Sequence, residues 1–144
     1  MEVQASTEIS APASAVWTAL TDFARYADWN PFIRRARGSA RPGDDVHVRV
    51  RSSFGLPLAF RARVLDSDEN HALHWRGHVL APWLACGEHW FAIEPAGDGR
   101  VRFVQRERFT GLLPWLGARL LARETRRGFE AMNEALARRV TAPR

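Results

Sequence analysis

The chain of 144 residues sets 21 basic side chains against 16 acidic ones, a formal charge of +5, with 46% hydrophobic and 26% charged residues. These are proportions of a globular chain with a core, they exclude a disordered or fibrous one, and no apolar run reaches the length of a membrane span. All 21 basic residues are arginine, and Arg49, Arg51, Arg61, Arg63, Arg102, Arg106 and Arg108 alternate with other residues as solvated strand positions do, so nucleic acid is not an expected partner.

MEVQASTEIS alternates Val3, Ala5, Thr7 and Ile9 and predicts a strand over 2–10. It lacks the apolar core of a signal peptide, so a cytoplasmic location is the expectation, and the lone Cys86 agrees with it. Pro12 suits the first turn of a short helix reaching Thr21, with Val16, Trp17 and Leu20 as its apolar stripe. Asp22 is placed to cap a second short helix carrying Phe23, Tyr26 and Trp29, which must stop at Asn30 because Pro31 follows. Six strands are then predicted over 33–41, 45–54, 58–68, 72–80, 87–95 and 100–110, an antiparallel series, and a long helix from Pro114 to Val140. Leu121, Thr125, Phe129, Met132, Leu136 and Val140 form its stripe, so it must cover the sheet. One domain over 1–144 accounts for the whole order.

The last two strands carry the main chemical signal. If Gly97 to Gly99 form a three-residue loop, the apolar face pairs Ile93 with Phe103, Phe91 with Gln105 and His89 with Glu107. The outer face supports this register, because it sets Glu94 against Arg102, Trp90 against Arg106 and Glu88 against Arg108. Two ionisable groups thus sit among aromatics. A carboxyl there has a raised pKa, and a histidine beside it can share its proton. Three roles fit the pair: a structural hydrogen-bonded couple, a polar anchor for an apolar ligand, or a catalytic acid/base pair for enolisation, aldol cyclisation or dehydration.

The order strand, two short helices, six strands, long helix is that of a helix-grip α+β fold, a seven-stranded curved antiparallel sheet holding the C-terminal helix. VWTALTDFARYADWNPF (16–32), RPGDDVHVRV (41–50), GEHWFAIEP (87–95), RFVQRERFTGLL (102–113) and RRGFEAMNEAL (126–136) resemble the SRPBCC superfamily, the group of START, polyketide cyclase and birch-pollen-allergen proteins, and within it the bacterial polyketide cyclase/dehydrase-like subgroup. The resemblance implies a hydrophobic cavity between sheet and helix and no single reaction. The expected partner is then a hydrophobic or amphipathic small molecule, carried or sensed. A cofactor-free cyclase/dehydratase using His89 and Glu107, with Gln105 assisting, is the alternative; a co-chaperone-like surface around Trp90 is a third.

On this reading the ligand-facing residues are Trp29, Val48, Val50, Phe60, Trp75, Phe91 and Phe103, then Gln105, Phe109, Leu121, Thr125, Phe129 and Met132. Antiparallel order also gathers three apolar, proline-bearing loops at one end, over 53–60, 79–87 and 109–120, against polar turns at the other. Leu56, Trp83, Leu84, Leu112, Leu113 and Trp115 would ring a cavity mouth, or fold inward as a plug, or pair two copies of the chain. Without a basic amphipathic helix they predict no stable membrane insertion. His47, His74 and His78 alternate outward, no His/Cys cluster has metal-ligand spacing, and no metal or cofactor is expected.

Overall fold

The computed structural model describes residues 1–51 and 57–142. Leu56 and the predicted end of the second strand of the series, at 52–54, lie outside the described residues. Strand β1 (Glu2–Ile9) leads into helix α1 (Ala13–Thr21), a 3-10 turn (Phe23–Arg25) and α2 (Tyr26–Trp29). Strands β2 (Ile33–Gly38), β3 (Asp45–Arg51), β4 (Pro57–Asp68), β5 (Ala72–His78), β6 (Cys86–Gly97) and β7 (Arg100–Thr110) follow, then α3 (Leu112–Leu116) and α4 (Ala118–Thr141). The sheet order is β1-β7-β6-β5-β4-β3-β2, every neighbour antiparallel. Curling of this sheet around α4 makes the helix-grip α+β fold.

Alternation explains the layering. Val46, Val48, Ala62, Val64, Leu73, Trp75, Phe91, Ile93 and Phe103 are buried on the concave face, while the arginines between them remain on the other. From α4, Phe129, Met132 and Leu136 close the core. The short helices are anchored by polar contacts: the Tyr26 hydroxyl donates to the Leu20 carbonyl, and Asn30 Oδ1 accepts from the Phe32 and Ile33 amides at 3.0 and 2.9 Å. Asn30 therefore shapes the turn around Pro31 and is wholly buried in doing so.

Two details differ from the expectation. The hairpin closes through Asp98 and Gly99 (φ 52° and 71°), with Gly97 already paired to Arg100 and a bulge between Pro95 and Gly97. A two-residue loop with both φ positive follows the strand twist better than a three-residue one, and the bulge absorbs the extra residue so that the register upstream is unchanged. The final helix is also two helices. Gly117 interrupts it, its φ of −113° being non-helical, so that α3 ends at Leu116 and α4 begins at Ala118.

Gly128 is required by contact, not by backbone conformation. A Cβ there would lie 2.2 Å from the Phe32 ring, which itself meets Phe129 edge-on at a centroid distance of 5.8 Å. Gly128→Ala gains helix propensity of about 1 kcal/mol but forces this aromatic contact apart at a cost of about 1–3 kcal/mol. Urea denaturation should therefore show net destabilisation; a more stable variant would mean that Phe32 swings away freely.

Candidate functional site

The β6–β7 register pairs His89 with Glu107, Phe91 with Gln105 and Ile93 with Phe103, and β5 sets Trp75 beside His89. All these side chains are buried on the concave face. His89 is clamped by aromatic rings: Phe91 is stacked on it at 4.0 Å, Phe129 lies at 5.0 Å, and Trp75 meets it edge-on at 5.6 Å. Its rotamer is consequently set by packing as well as by hydrogen bonds.

A polar series runs through this apolar layer. Asn133 Oδ1 accepts from Gln105 Nε2 at 2.7 Å, which leaves Gln105 Oε1 to accept from His89 Nε2 at 3.1 Å. With its proton on Nε2, His89 turns the Nδ1 lone pair toward Glu107 Oε2, 3.1 Å away. That contact is off the hydrogen-bond line, so Oε2 is buried without a hydrogen-bond partner. Gly87 provides the space for the carboxyl, since a Cβ there would stand 2.7 Å from Glu107 Oε1.

Burial decides the charge state of both groups. It pushes Glu107 up to about 8, helped by the nearby negative Glu88, and it pushes His89 down to about 3, against the hydrogen bond to Gln105, with His74 adding to the decrease. The pair at neutral pH is a carboxylic acid beside a neutral imidazole.

Glu107 opens onto a cavity of about 420 Å³ between the β4–β7 end of the sheet and the α3–α4 segment. Phe60, Trp75, Phe109 and Leu121 of the expected ligand-facing set line it, together with Leu113 from the expected mouth. Phe91, Phe103, Gln105, Phe129 and Met132 instead fill the centre of the core, where they are fully packed, and Thr125 is buried next to them. Trp29 and Val50 are half-buried against that core, and Val48 is buried in it. His89 stands behind Glu107, screened from the cavity. At the mouth, Trp83 and Trp115 are 72% and 75% exposed, Leu112 is exposed and Leu84 half-buried.

Several lining residues escaped the sequence reading: Leu58, Gly87, Pro114, Leu120 and Glu124. Gly87 was legible in principle, being the inward-facing neighbour of His89 and cross-strand partner of Phe109. Leu120 and Glu124 became visible only through the helix break at Gly117. A larger groove of about 760 Å³ runs along β2 and β3, but its exposed Arg35, Arg37 and Arg49 make it a solvated surface feature without a buried ionisable group. On the convex face Trp90 stacks on His74 at 4.6 Å and lies under Arg106 at 4.3 Å; Glu88 is held by His74 at 2.8 Å, not by Arg108. Among the described residues, no group of three or more His, Cys, Asp or Glu is placed to hold a metal.

This architecture of curled sheet, enclosed helix and end-on cavity has a family match. The family model for polyketide cyclase/dehydrase and lipid transport proteins matches residues 1–141. The chain belongs to that family. Among solved structures, the Zhui aromatase/cyclase from Streptomyces sp. R1128 is 22% identical with a TM-score of 0.80, covering 99% of this chain and 96% of its own. A START superfamily protein from Mycobacterium smegmatis is 23% identical with a TM-score of 0.77, at 96% coverage of each chain. A protein from Thermus thermophilus gives 18% identity and a TM-score of 0.80, covering 99% of this chain and 98% of its own. At these identities the likeness is one of fold. No curated protein matches the chain. The polyketide cyclase/dehydrase and lipid transport family includes, by its own description, both catalysts and carriers. No helix among the described residues is long and apolar enough to cross a membrane.

The two shifted groups give stability a defined pH profile. Glu107 stabilises the fold most below its ordinary 4.5, and that contribution is lost as pH rises to about 8. His89 contributes fully above 6.5, and its contribution is lost as pH falls toward about 3. Between 4.5 and 6.5 the two slopes cancel. The melting temperature of Glu107→Gln, measured relative to the parent protein, should therefore be level below pH 4.5 and climb steadily to pH 8. A difference independent of pH would contradict a protonated Glu107.

Proposed function

We propose that the protein binds a hydrophobic or amphipathic small molecule in the cavity beneath α3, as a carrier or sensor. The observation that carries this reading is Glu107: nine-tenths buried, with its carboxyl in the wall of an apolar cavity of about 420 Å³. A ligand oxygen that pairs with the accessible part of this carboxyl gains a hydrogen bond in an apolar setting, worth about 0.5–1.5 kcal/mol. The exposed tryptophans and leucines around the opening fit the same reading, since an apolar rim lowers the barrier for an apolar molecule to leave water.

A cyclase/dehydratase is the second reading, favoured by the contact of Glu107 with His89 and the hydrogen bonds that tie His89 to Gln105 and Gln105 to Asn133. In that case Glu107 is the group that meets substrate, its acid proton hydrogen-bonded to a carbonyl oxygen and polarising that carbonyl for attack. His89, held between Phe91 and Phe129, would be a positioning residue that shares the proton. Glu107→Gln separates the two: ligand affinity within a few fold of the parent supports a carrier, and loss of turnover with retained affinity supports the enzyme.

Native mass spectrometry of gently desalted protein tests the common premise. The expected result is a co-purifying amphipathic molecule that is depleted at least about tenfold in Leu121→Trp, where the indole fills the cavity from α4. A folded parent protein with no adduct, and none formed with a panel of lipids and aromatic polyketides, would overturn it.

A further inference from the structure

The exposed apolar surface of the chain is gathered at one end. Leu80, Trp83, Trp115 and Leu116 are 65–84% exposed there, and Leu112, Leu113 and Leu120 join them. Leu58 borders the cavity and Met1 pairs through its backbone with Phe109, so Leu65 alone of the exposed large apolar side chains among the described residues lies away from this end. The Leu112 amide donates to the Trp83 carbonyl at 3.1 Å, which makes the loop after β5 and helix α3 one continuous surface.

Charge is divided along the same axis. The segments that build the rim, 70–87 and 108–123, contain no Asp or Glu, yet they carry Arg76, Arg108, Arg119 and Arg123. The turns at the opposite end hold Asp44, Asp45, Asp66, Asp68, Glu69 and Asp98. Arg119 and Arg123 are exposed one helical turn apart on α4, directly after Trp115 and Leu116. The nearest acids are engaged or neutral: Glu2 lies 3.9 Å from Arg106, His74 holds Glu88 at 2.8 Å, Glu124 is 4.0 Å from Arg127, and Glu107 keeps its proton at neutral pH. The rim end is thus both apolar and cationic.

A second copy of the chain does not match this surface. A two-fold contact sets the same patch against itself, so Arg119 and Arg123 would meet arginines with no acid to pair. A head-to-tail contact reaches the acidic turns, which offer no apolar surface to Trp83 and Trp115. An anionic bilayer supplies both needs, phosphates for the arginines and an apolar layer beneath them for the indoles, whose amphipathic rings favour that boundary. We infer that the rim docks the protein reversibly, mouth first, on an anionic lipid surface, with Trp83, Trp115 and the neighbouring leucines at the headgroup–acyl boundary and Arg119 and Arg123 on headgroup phosphates. The contact is peripheral, and the charge axis turns the mouth toward the surface before contact. It holds whether or not the cavity is occupied.

Co-sedimentation with vesicles of phosphatidylcholine containing about 30% phosphatidylglycerol, against pure phosphatidylcholine, tests this at about 0.1 M salt. Binding to the anionic vesicles should be at least about tenfold tighter, with a blue shift of tryptophan emission as Trp83 and Trp115 leave water. The double substitution Trp83→Ser, Trp115→Ser should weaken it about tenfold or more, at an unchanged melting temperature because both side chains are exposed. Arg119→Glu should also weaken it about tenfold or more, whereas Arg37→Glu, the same change in net charge at the far end of β2, should leave it within about twofold. Failure of the folded parent protein to sediment with either vesicle would overturn the inference. Equal losses in Arg119→Glu and Arg37→Glu with none in the tryptophan variant would do so too, since they describe adsorption by net charge alone. A dimer in sedimentation velocity that Trp115→Ser abolishes would assign the rim to a second copy and overturn it as well.

Discussion

The pairing of β6 with β7 is the constraint on which the remainder of the molecule depends. One residue faces one residue from Cys86 and Thr110 to Pro95 and Val101, so a single register decides every neighbour on the concave face. It brings His89 to Glu107, puts Gly87 where the carboxyl needs space, and leaves Gln105 to reach α4. A slip by one residue would exchange this polar series for Arg106 and Arg108. The cost of burying two guanidinium groups in the apolar core makes the observed register much the most favourable, and the paired tail of the hairpin at Gly97 holds it from the far end.

Burial then turns two ionisable residues into neutral ones. In water a glutamate beside a histidine would form an ion pair; among Trp75, Phe91 and Phe129 the solvation lost by both ions outweighs their attraction. The product is an acid that holds its proton at neutral pH, next to a base that does not take it. Asn133 extends the same series to α4, so the sheet and the helix that it grips are joined by a polar contact inside an otherwise apolar interface. One side-chain amide on the helix is thereby linked, through Gln105, to a histidine on β6.

Much of this was legible in the order of residues, and the illegible parts have physical causes. Strand positions and register followed from alternation, because a two-residue period with charges on one face admits few pairings. The outer ion pairs did not follow: Glu88 turns to His74 on β5, and Arg102 donates to Ser6 on β1 at 3.2 Å, partners that a hairpin considered alone does not contain. The helix break was hidden because LLPWLGARLL keeps a helical apolar spacing across Gly117. The cavity's position was hidden for a different reason. Stripe residues such as Phe129 and Met132 look like lining, yet their volume fills the centre of the sheet, and this cavity lies toward the end, where Gly77 and Gly87 contribute no side chains. Volume is a sum over many residues in three dimensions, and periodicity reports only their direction.

The rim is stitched together by the main chain. Leu112 and Leu113 donate their amides to the carbonyls of Trp83 and Leu84, at 3.1 and 2.9 Å, and Gly111 approaches so closely that a Cβ there would stand 2.7 Å from the Leu84 oxygen. The loop after β5 and the helix after β7 are consequently one flap with two hinges, not two independent fingers. Parting this rim takes a concerted displacement of backbone, a class of motion of about microseconds to milliseconds, whereas side-chain rotation alone takes about picoseconds to nanoseconds. Those two hydrogen bonds therefore make the rim a single mechanical unit.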